Sequence, residues 1–170
     1  MAQIWVCGID EMPDLVERVR PRRVISLLPA EDQPPTPLQI DASDHLRVLV
    51  DDIDEPQKGL SAPACSHVEQ LISFVRASPP RASILIHCLA GVSRSPAAAL
   101  VALALETPGR EPEAAAALRR AAPFVNPNRL IVELADAALQ RQGALVAALE
   151  SMGEADMSFD FAAFMLPRRL

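Results

Sequence analysis

The segment that most constrains the fold is residues 84–96, ILIHCLAGVSRSP, where an apolar run leads into a cysteine, a short loop and a helix start. Ser95 is a favoured N-cap residue and Pro96 a favoured first helical residue, so the sequence predicts a strand, a loop and a helix in that order. A helix N-terminus presents unpaired N–H groups and the positive end of the helix dipole. A loop with Cys88 at its base and Arg94 at its far end is therefore expected to hold an anion beside a thiol.

Cys88 is the predicted nucleophile of this loop. The positive surroundings favour the thiolate, which is the nucleophilic form of cysteine. The guanidinium of Arg94 is a planar fork of donors that fits two phosphate oxygens, and Gly91 allows a sharp turn that aims backbone N–H groups inward. The residues expected to form this phosphate cradle are Leu89, Ala90, Gly91, Val92, Ser93 and Arg94.

The pattern His-Cys-x-x-Gly-x-x-Arg-Ser at residues 87–95 resembles the signature of the cysteine-dependent protein tyrosine phosphatases, most closely the small dual-specificity branch. The Trp-Pro-Asp triplet of classical tyrosine phosphatases is absent from the sequence, which favours that branch. The resemblance implies that His87 orders the loop from behind and is not the acid. It also implies that the Ser95 hydroxyl binds the Cys88 sulfur and eases its departure. Helix capping alone stays open as the alternative for Ser95.

The acid that protonates the leaving oxygen is expected on a loop that follows a neighbouring strand. Asp51, Asp52 and Asp54 all meet this condition. Setting residues 45–50 against the equivalent strand of the family without gaps places the acid at Asp52. Asp51 and Asp54 remain alternatives, because the segment from Asp52 to the cysteine is a few residues longer than is usual in the family.

Asn128 lies in a segment, Asn-Pro-Asn, that resembles the family's segment after the helices of the cradle. The resemblance implies that Asn128 braces the phosphate-binding loop, and helix capping alone is the alternative. His45 and His67 are interpreted as surface or hydrogen-bonded histidines, since the sequence contains no metal-ligand cluster. We therefore predict no metal and no cofactor.

The remaining cysteines, Cys7 and Cys65, fit packing positions on a core strand and an apolar helix face. A redox partnership of either with Cys88 stays open, because it would protect a reactive thiol from over-oxidation. Three sparse cysteines do not form a disulfide framework and indicate a reducing cytoplasm. The first residues carry no basic n-region of a secretory signal, which agrees with that location.

Composition limits the partners of the chain. It has 170 residues, 50% of them hydrophobic, and a net charge of −6 with a pI near 5.0. These values suit one folded domain and argue against nucleic acid or an anionic membrane surface as the main partner. The longest apolar run, residues 97–105, is too short to span a bilayer.

Lys58 is the only lysine, and Ala and Pro are abundant, which suggests a GC-rich and bacterial genome. Nothing in the sequence indicates the oligomeric state.

Strands alternate with helices in the first part of the chain, and helices dominate the second part. The predicted strands are 4–7, 24–28, 46–50 and 83–87, and the predicted helices are 10–19, 61–76, 96–106, 112–121 and 127–150. Consecutive βα units predict an α/β fold with a mostly parallel central sheet and helices on both faces. The chain is expected to form one phosphatase-like domain, 1–170, with an apolar tail, 151–170, that packs back on it.

The predicted function is hydrolysis of a phosphomonoester through a cysteinyl-phosphate intermediate, and the resemblance implies a protein tyrosine or dual-specificity phosphatase. A phosphorylated protein is the expected substrate, because the cradle lacks the additional Lys or His found in relatives that act on inositol phosphates. One alternative is a module that binds phosphate without hydrolysis. Another is a rhodanese-like sulfurtransferase, whose loops usually place the arginine one residue closer to the cysteine than the five-residue spacing between Cys88 and Arg94.

Overall fold

Continuous apolar runs form the central strands, because strands in a parallel sheet are buried on both faces. A computed structural model describes residues 2–170. Its strands are β1 Gln3–Cys7, β2 Arg23–Leu28, β3 His45–Leu49, β4 Ile84–His87 and β5 Phe164–Pro167. Its α-helices are α1 Met12–Val19, α2 Cys65–Arg76, α3 Arg94–Glu106, α4 Glu111–Ala121, α5 Arg129–Ala138 and α6 Ala144–Ser151.

The five strands form one sheet in the order β3-β2-β4-β1-β5. The first four are parallel, and β5 runs antiparallel to β1. The carboxyl ends of the parallel strands therefore meet at one edge, which is where open α/β sheets bind ligands. Because β4 lies between β2 and β1, the residues that follow it emerge near the middle of that edge.

Helices cover both faces of the sheet, which confirms the predicted fold class. On one face, Met12, Leu15 and Val16 of α1 pack in a small apolar cluster with Val24 and Leu85 of the sheet. On the other face, α3 is buried along almost its whole length and lies in the larger core cluster with α2, α4, α5 and α6. The small alanines of α3 permit close approach of its neighbours, so the helix that leaves the predicted cradle is enclosed by the core.

The prediction of one long helix over 127–150 is wrong, because the chain turns between α5 and α6. Gln140, Gln142 and Gly143 have positive φ angles of 54° to 88°. The carboxylate of Asp136 accepts hydrogen bonds from the N–H groups of Gly143 and Leu145, at 2.7 and 2.8 Å. Gly143 and the carboxylate of Asp136 thus separate α5 from α6, although the apolar periodicity continues through this segment.

The second helix also begins later than predicted, at Cys65 rather than at Ser61. Pro63 lies before the helix, and the Ser61 N–H donates to the Asp51 carboxylate at 2.7 Å. Cys65 is exposed, so its interpretation as a packing residue is wrong, whereas Cys7 is buried in β1.

The C-terminal residues add a strand that the sequence did not predict. β5 pairs with β1, with Phe164 opposite Val6 and Pro167 opposite Gln3. The next residue, Arg168, is 2% exposed and forms an ion pair with Glu106 at 2.8 Å. Across residues 2–170, none of the helices has the length and apolar character needed to cross a membrane.

Candidate active site

The loop between β4 and α3 is fitted closely against the end of β1. Gly91 has φ +74°, and a Cβ atom at this position would lie 2.8 Å from the carbonyl carbon of Cys7. A side chain is therefore excluded by both conformation and space. The N–H of Ile9 donates to the Leu89 carbonyl at 3.0 Å and connects the loop to the segment that follows β1. Backbone packing thus sets the shape of the predicted cradle.

Cys88 lies at the base of this loop with 2% of its surface exposed. The Ser95 hydroxyl donates a hydrogen bond to the Cys88 Sγ at 3.1 Å. The helix begins at Arg94, with Ser93 at its N-cap position, so Ser95 lies inside the first turn. The capping interpretation of Ser95 is therefore wrong. Its hydroxyl instead directs a donor at the sulfur.

Arg94 is buried, with 5% of its surface exposed. Its Nη1 donates to the Val50 carbonyl at 2.9 Å, which anchors the guanidinium to the end of β3. Its Nε is buried and has no hydrogen-bond partner. A buried donor without an acceptor is rare and costly in proteins. An oxyanion in the cradle would supply the missing acceptor.

The three candidate acids have different partners. Asp52 Oδ1 accepts from the Ser93 hydroxyl at 2.7 Å, and its Oδ2 lies 3.9 Å from Arg94 Nε. Asp51 instead accepts from the Ser61 N–H, as described above. The third candidate, Asp54, accepts from the backbone N–H of α5 at Leu130, at 3.3 Å. Asp52 is thus the candidate that contacts the predicted cradle through side chains.

The side chain of Asn128 caps α5 and binds the loop that carries Asp52, which is not the phosphate-binding loop that the resemblance implies. Its Oδ1 accepts from the Ile131 N–H at 3.0 Å and caps α5. Its Nδ2 donates to Asp52 Oδ1 at 3.1 Å and to the Ile53 carbonyl at 3.2 Å. The side chain therefore braces the loop that carries Asp52. Its backbone N–H donates to the Ser93 carbonyl at 3.2 Å and connects the same residue to the cradle.

A buried pair of histidines lies behind the cradle. Ser26 Oγ lies 2.6 Å from Nε2 of His87 and 2.7 Å from Nε2 of His45, and the Nδ1 of His45 lies 3.0 Å from the Thr36 hydroxyl. Burial lowers the pKa of His87 to about 4, with His45 adding to that effect and a backbone hydrogen bond to Cys88 opposing it. Burial, followed by the charge of Arg47, lowers the pKa of His45 to about 4. Both rings are therefore neutral at pH 7.

Sequence reasoning did not find Ser26, because an isolated serine within an apolar strand carries no distinguishing pattern. Its hydroxyl joins two rings that are far apart in the sequence, and this requires β2 to lie between β3 and β4.

His45 is a buried, hydrogen-bonded histidine, which agrees with one of the two predicted forms. Within residues 2–170, no cluster of three His, Cys, Asp or Glu side chains is arranged to hold a metal ion.

All three cysteines are free. Burial raises the pKa of the Cys7 thiol far above its usual range, and the charges of Glu11 and Cys88 act in the same direction. Cys7 therefore remains a protonated thiol at neutral pH, unlike the thiolate predicted for Cys88. The redox partnership of these two residues stays a prediction.

An open cleft of about 310 Å³ adjoins the cradle on the side of the acid loop. Asp52 and Asp54 are exposed, so the region between Asp52 and the start of α5 is open to solvent. The cleft is lined by Asp52, Asp54, Val92, Ser93, Asn126, Pro127, Asn128 and Arg129. A leaving group on a bound phosphate would have room on this side.

The sequence matches no protein-family model and no curated protein. The fold, in contrast, is similar to solved structures of phosphatases. The PTP-2 phosphatase of Cydia pomonella is 25% identical, with a TM-score of 0.60, and the match covers 79% of this chain and 84% of that one. DUSP15 is 19% identical, with a TM-score of 0.59, and the match covers 94% of each chain.

A third similar structure is that of PTPMT1 in complex with PI(5)P, which is 16% identical with a TM-score of 0.56. The match covers 82% of this chain and 94% of that one. Together these structures show that the chain has the fold of the dual-specificity and tyrosine phosphatases.

Proposed function

We propose that this chain is a phosphomonoester hydrolase that acts through a cysteinyl-phosphate intermediate on Cys88, as a protein tyrosine or dual-specificity phosphatase does. The observation that carries the proposal is the arrangement at the carboxyl end of β4. A buried thiol receives a hydrogen bond from Ser95, and the guanidinium of Arg94 is anchored with one buried N–H unused. A tetrahedral oxyanion supplies the acceptors that this arrangement lacks.

In the first step, the Cys88 thiolate attacks phosphorus, and the bond from phosphorus to the leaving oxygen breaks. Asp52 donates a proton to that oxygen, which leaves as an alcohol or phenol. Oδ1 of Asp52 already accepts from Ser93 and Asn128, so Oδ2 is the oxygen that carries the proton. Arg94 and the backbone N–H groups of the cradle hold the three remaining phosphoryl oxygens.

In the second step, water attacks the cysteinyl-phosphate, and the sulfur–phosphorus bond breaks. The Asp52 carboxylate accepts a proton from the water, and inorganic phosphate is formed. Cys88 leaves as a thiolate, which the Ser95 hydroxyl stabilises by its hydrogen bond to Sγ. His87 is neutral and buried, which supports a role in orienting the loop and not in proton transfer.

A phosphorylated protein is the proposed substrate. The side chains of the cradle at Leu89, Ala90, Val92 and Ser93 carry no positive charge, and the net charge of the chain is −6. Both features oppose a substrate with several phosphates. The three free cysteines support a cytoplasmic location. A bacterial origin rests only on the amino-acid composition, in which a single lysine and many Ala and Pro residues indicate a GC-rich genome.

Neither alternative function is favoured. A module that only binds phosphate has no use for an acid directed at the cradle, whereas Asp52 is positioned there by two side-chain hydrogen bonds. The five-residue spacing between Cys88 and Arg94 and the phosphatase fold disfavour sulfur transfer.

The test is turnover of an aryl phosphate in the presence of a metal chelator. We expect hydrolysis that vanadate inhibits and that the Cys88→Ser variant loses, while the Cys65→Ser variant, with its exposed thiol replaced, retains it. Activity that persists in Cys88→Ser contradicts the mechanism. Binding of a phosphopeptide without any turnover would instead support the binding module.

A further inference from the structure

The segment between α6 and β5 forms part of the edge that carries the active site. Because β5 is antiparallel to β1 and Phe164 lies opposite Val6, the residues just before Phe164 lie beyond the carboxyl end of β1. Cys88 leaves β4, the parallel neighbour of β1, at the same edge. The tail wall, which we define as Met157, Phe159 and Phe161, precedes β5 and therefore enters the sheet at the same edge as the cradle.

One end of this segment is attached to the loop between α4 and α5. The Asp156 N–H donates to the Pro123 carbonyl at 2.9 Å, and the Phe161 ring packs on Phe124 with 5.4 Å between centroids. Asn126 lies two residues after Phe124 in the same loop, and its N–H donates to the Val92 carbonyl of the cradle at 2.8 Å. The tail wall and the cradle are thus connected through one short loop.

The other end of the segment is attached to the connection between β1 and α1. The Ala163 N–H donates to the Glu11 carboxylate at 2.9 Å, and the same carboxylate accepts from the Gly8 N–H at 3.2 Å. The adjacent Ile9 binds the Leu89 carbonyl, as described above. Both ends of the segment are therefore attached by hydrogen bonds to elements that contact the cradle.

The tail wall exposes large apolar side chains at the edge of the sheet that carries the polar site. Met157 is 58% exposed, Phe159 50% and Phe161 47%, and Leu89 of the cradle itself is 56% exposed. Large apolar side chains that are exposed to solvent are available for binding, and aromatic residues supply much of the energy of protein interfaces.

Charge limits the occupant of this surface. Exposed acidic residues lie in the segments that border the cradle, at Asp10, Asp54, Asp156 and Asp160. An anionic lipid surface is repelled by such a border and attracted by basic clusters instead. A phosphorylated segment of a protein presents one phosphate and a choice of neighbouring side chains, so it satisfies both the cradle and the apolar wall.

We propose that Leu89 and the tail wall bind a large apolar side chain adjacent to the phosphorylated residue of a protein substrate. This inference rests on the proposed function and names its substrate class: a phosphoprotein segment with Leu, Met or Phe beside the phosphorylated residue. The phosphate enters the cradle, and the neighbouring side chain covers the exposed rings of the tail wall.

The experiment compares two phosphotyrosine peptides that differ only in having Leu or Ser beside the phosphorylated residue. Burial of a leucine side chain is favourable enough that we expect kcat/KM for the Leu peptide to be about tenfold higher with the wild-type protein. Phe159→Ala and Phe161→Ala are expected to remove this preference through KM, with kcat unchanged. Leu38→Ala, which replaces a fully exposed leucine of the β2–β3 connection, serves as the matched control.

A small aryl phosphate separates this inference from the proposed function. All four proteins are expected to hydrolyse it at similar rates, because it does not reach the tail wall. Equal kcat/KM for the two peptides, with normal aryl phosphate turnover, overturns the inference and leaves the function intact. Absence of aryl phosphate turnover in the wild-type protein overturns both. Faster turnover of PI(5)P in anionic vesicles than of the Leu peptide overturns the choice of substrate class.

Phe161→Ala removes a contact with Phe124, so thermal unfolding is measured for each variant. Phe159→Ala provides the test at a residue that is 50% exposed and therefore contributes less to packing. Loss of the preference in both variants supports the inference, and its retention in Phe159→Ala and a folded Phe161→Ala contradicts it.

Discussion

The cradle and the loop that carries Asp52 contribute to the same site, but different interactions form them. The cradle is the direct continuation of a buried strand, and close backbone packing at Gly91 sets its shape. The acid loop, residues 51–64, is largely exposed, and the Asp51 carboxylate accepts a hydrogen bond from Ser61 within the loop itself. The loop is attached to the rest of the protein through the carboxylates of Asp52 and Asp54, which accept from the Ser93 hydroxyl and the Leu130 N–H. The nucleophilic half of the site is thus set by the core, and the acid half by a few polar contacts that single substitutions can remove.

The largest effect is expected from the buried arginine of the cradle. Arg94→Lys keeps the positive charge but loses the planar fork and the Nε donor, so we expect kcat/KM for an aryl phosphate to fall by about 10³-fold or more. Arg110→Lys is the matched control, because its exposed guanidinium pairs with Glu113. A loss of tenfold or less in Arg94→Lys, determined by steady-state kinetics, would contradict the assigned cradle.

Removal of the acid is expected to have the next largest effect. Asp52→Asn should lower kcat by about 10²- to 10⁴-fold for phosphates with poorly acidic leaving groups, since general acid catalysis contributes that much. The loss should shrink as the leaving group becomes more acidic, because such a group departs without a proton. Asp51→Asn and Asp54→Asn are the controls. If the loss of kcat in Asp51→Asn or Asp54→Asn depends more steeply on the acidity of the leaving group than it does in Asp52→Asn, the acid is not Asp52.

A smaller effect is expected when the acid keeps its carboxylate but loses its donors. Ser93→Ala and Asn128→Ser each remove one hydrogen bond to Asp52 Oδ1. We expect about a tenfold lower kcat, because these bonds hold Asp52 in position to donate its proton from Oδ2. Serine at position 128 preserves a capping oxygen for α5.

Alkylation of Cys88 by iodoacetamide distinguishes the two halves of the site in these variants. Its rate should match that of the wild-type protein, because neither substitution touches the sulfur. A tenfold change in the alkylation rate would show that the acid loop and the cradle are not independent.

The smallest effect on activity, and a clear effect on stability, is expected from the histidine pair behind the cradle. The pKa of His45 and of His87 is lowered from 6.5 to about 4 in the folded protein, so between these values the unfolded chain binds more protons. The free energy of unfolding should therefore fall as the pH is lowered from 7 to 5, by on the order of 2 kcal/mol for each histidine. Urea unfolding at both pH values measures this change. His45→Gln should reduce the pH dependence, and an unchanged dependence would contradict this origin.

The cradle could be predicted from sequence because its signals are local. The apolar run of β4, the glycine and the Ser-Pro pair are adjacent along the chain, and the structure contains the strand, loop and helix in that order. The same local signals predict that α3 starts at Pro96, two residues after its observed start at Arg94, because they assign Arg94 to the loop. Ser95 therefore donates to the sulfur and does not cap the helix.

The contacts of the acid loop could not be predicted, because they join residues that are distant in sequence. The bond from Ser93 to Asp52 and the bond from Asn128 to Asp52 depend on how β3, β4 and α5 are arranged in space. The same holds for Ser26 between two histidines and for β5 beside β1. Hydrophobic periodicity indicates which face of a single segment is buried, but it does not indicate which segments pack against each other.

The most direct test of the account is a search for a phosphoryl group on Cys88 during turnover. The protein is mixed with an aryl phosphate, quenched within milliseconds and digested, and the peptide that contains Cys88 is analysed by mass spectrometry. We expect this peptide to carry one phosphoryl group, and we expect Ser95→Ala to accumulate more of the phosphorylated peptide because departure of the sulfur is slowed. Turnover with no phosphoryl group on Cys88 in either protein would contradict the account.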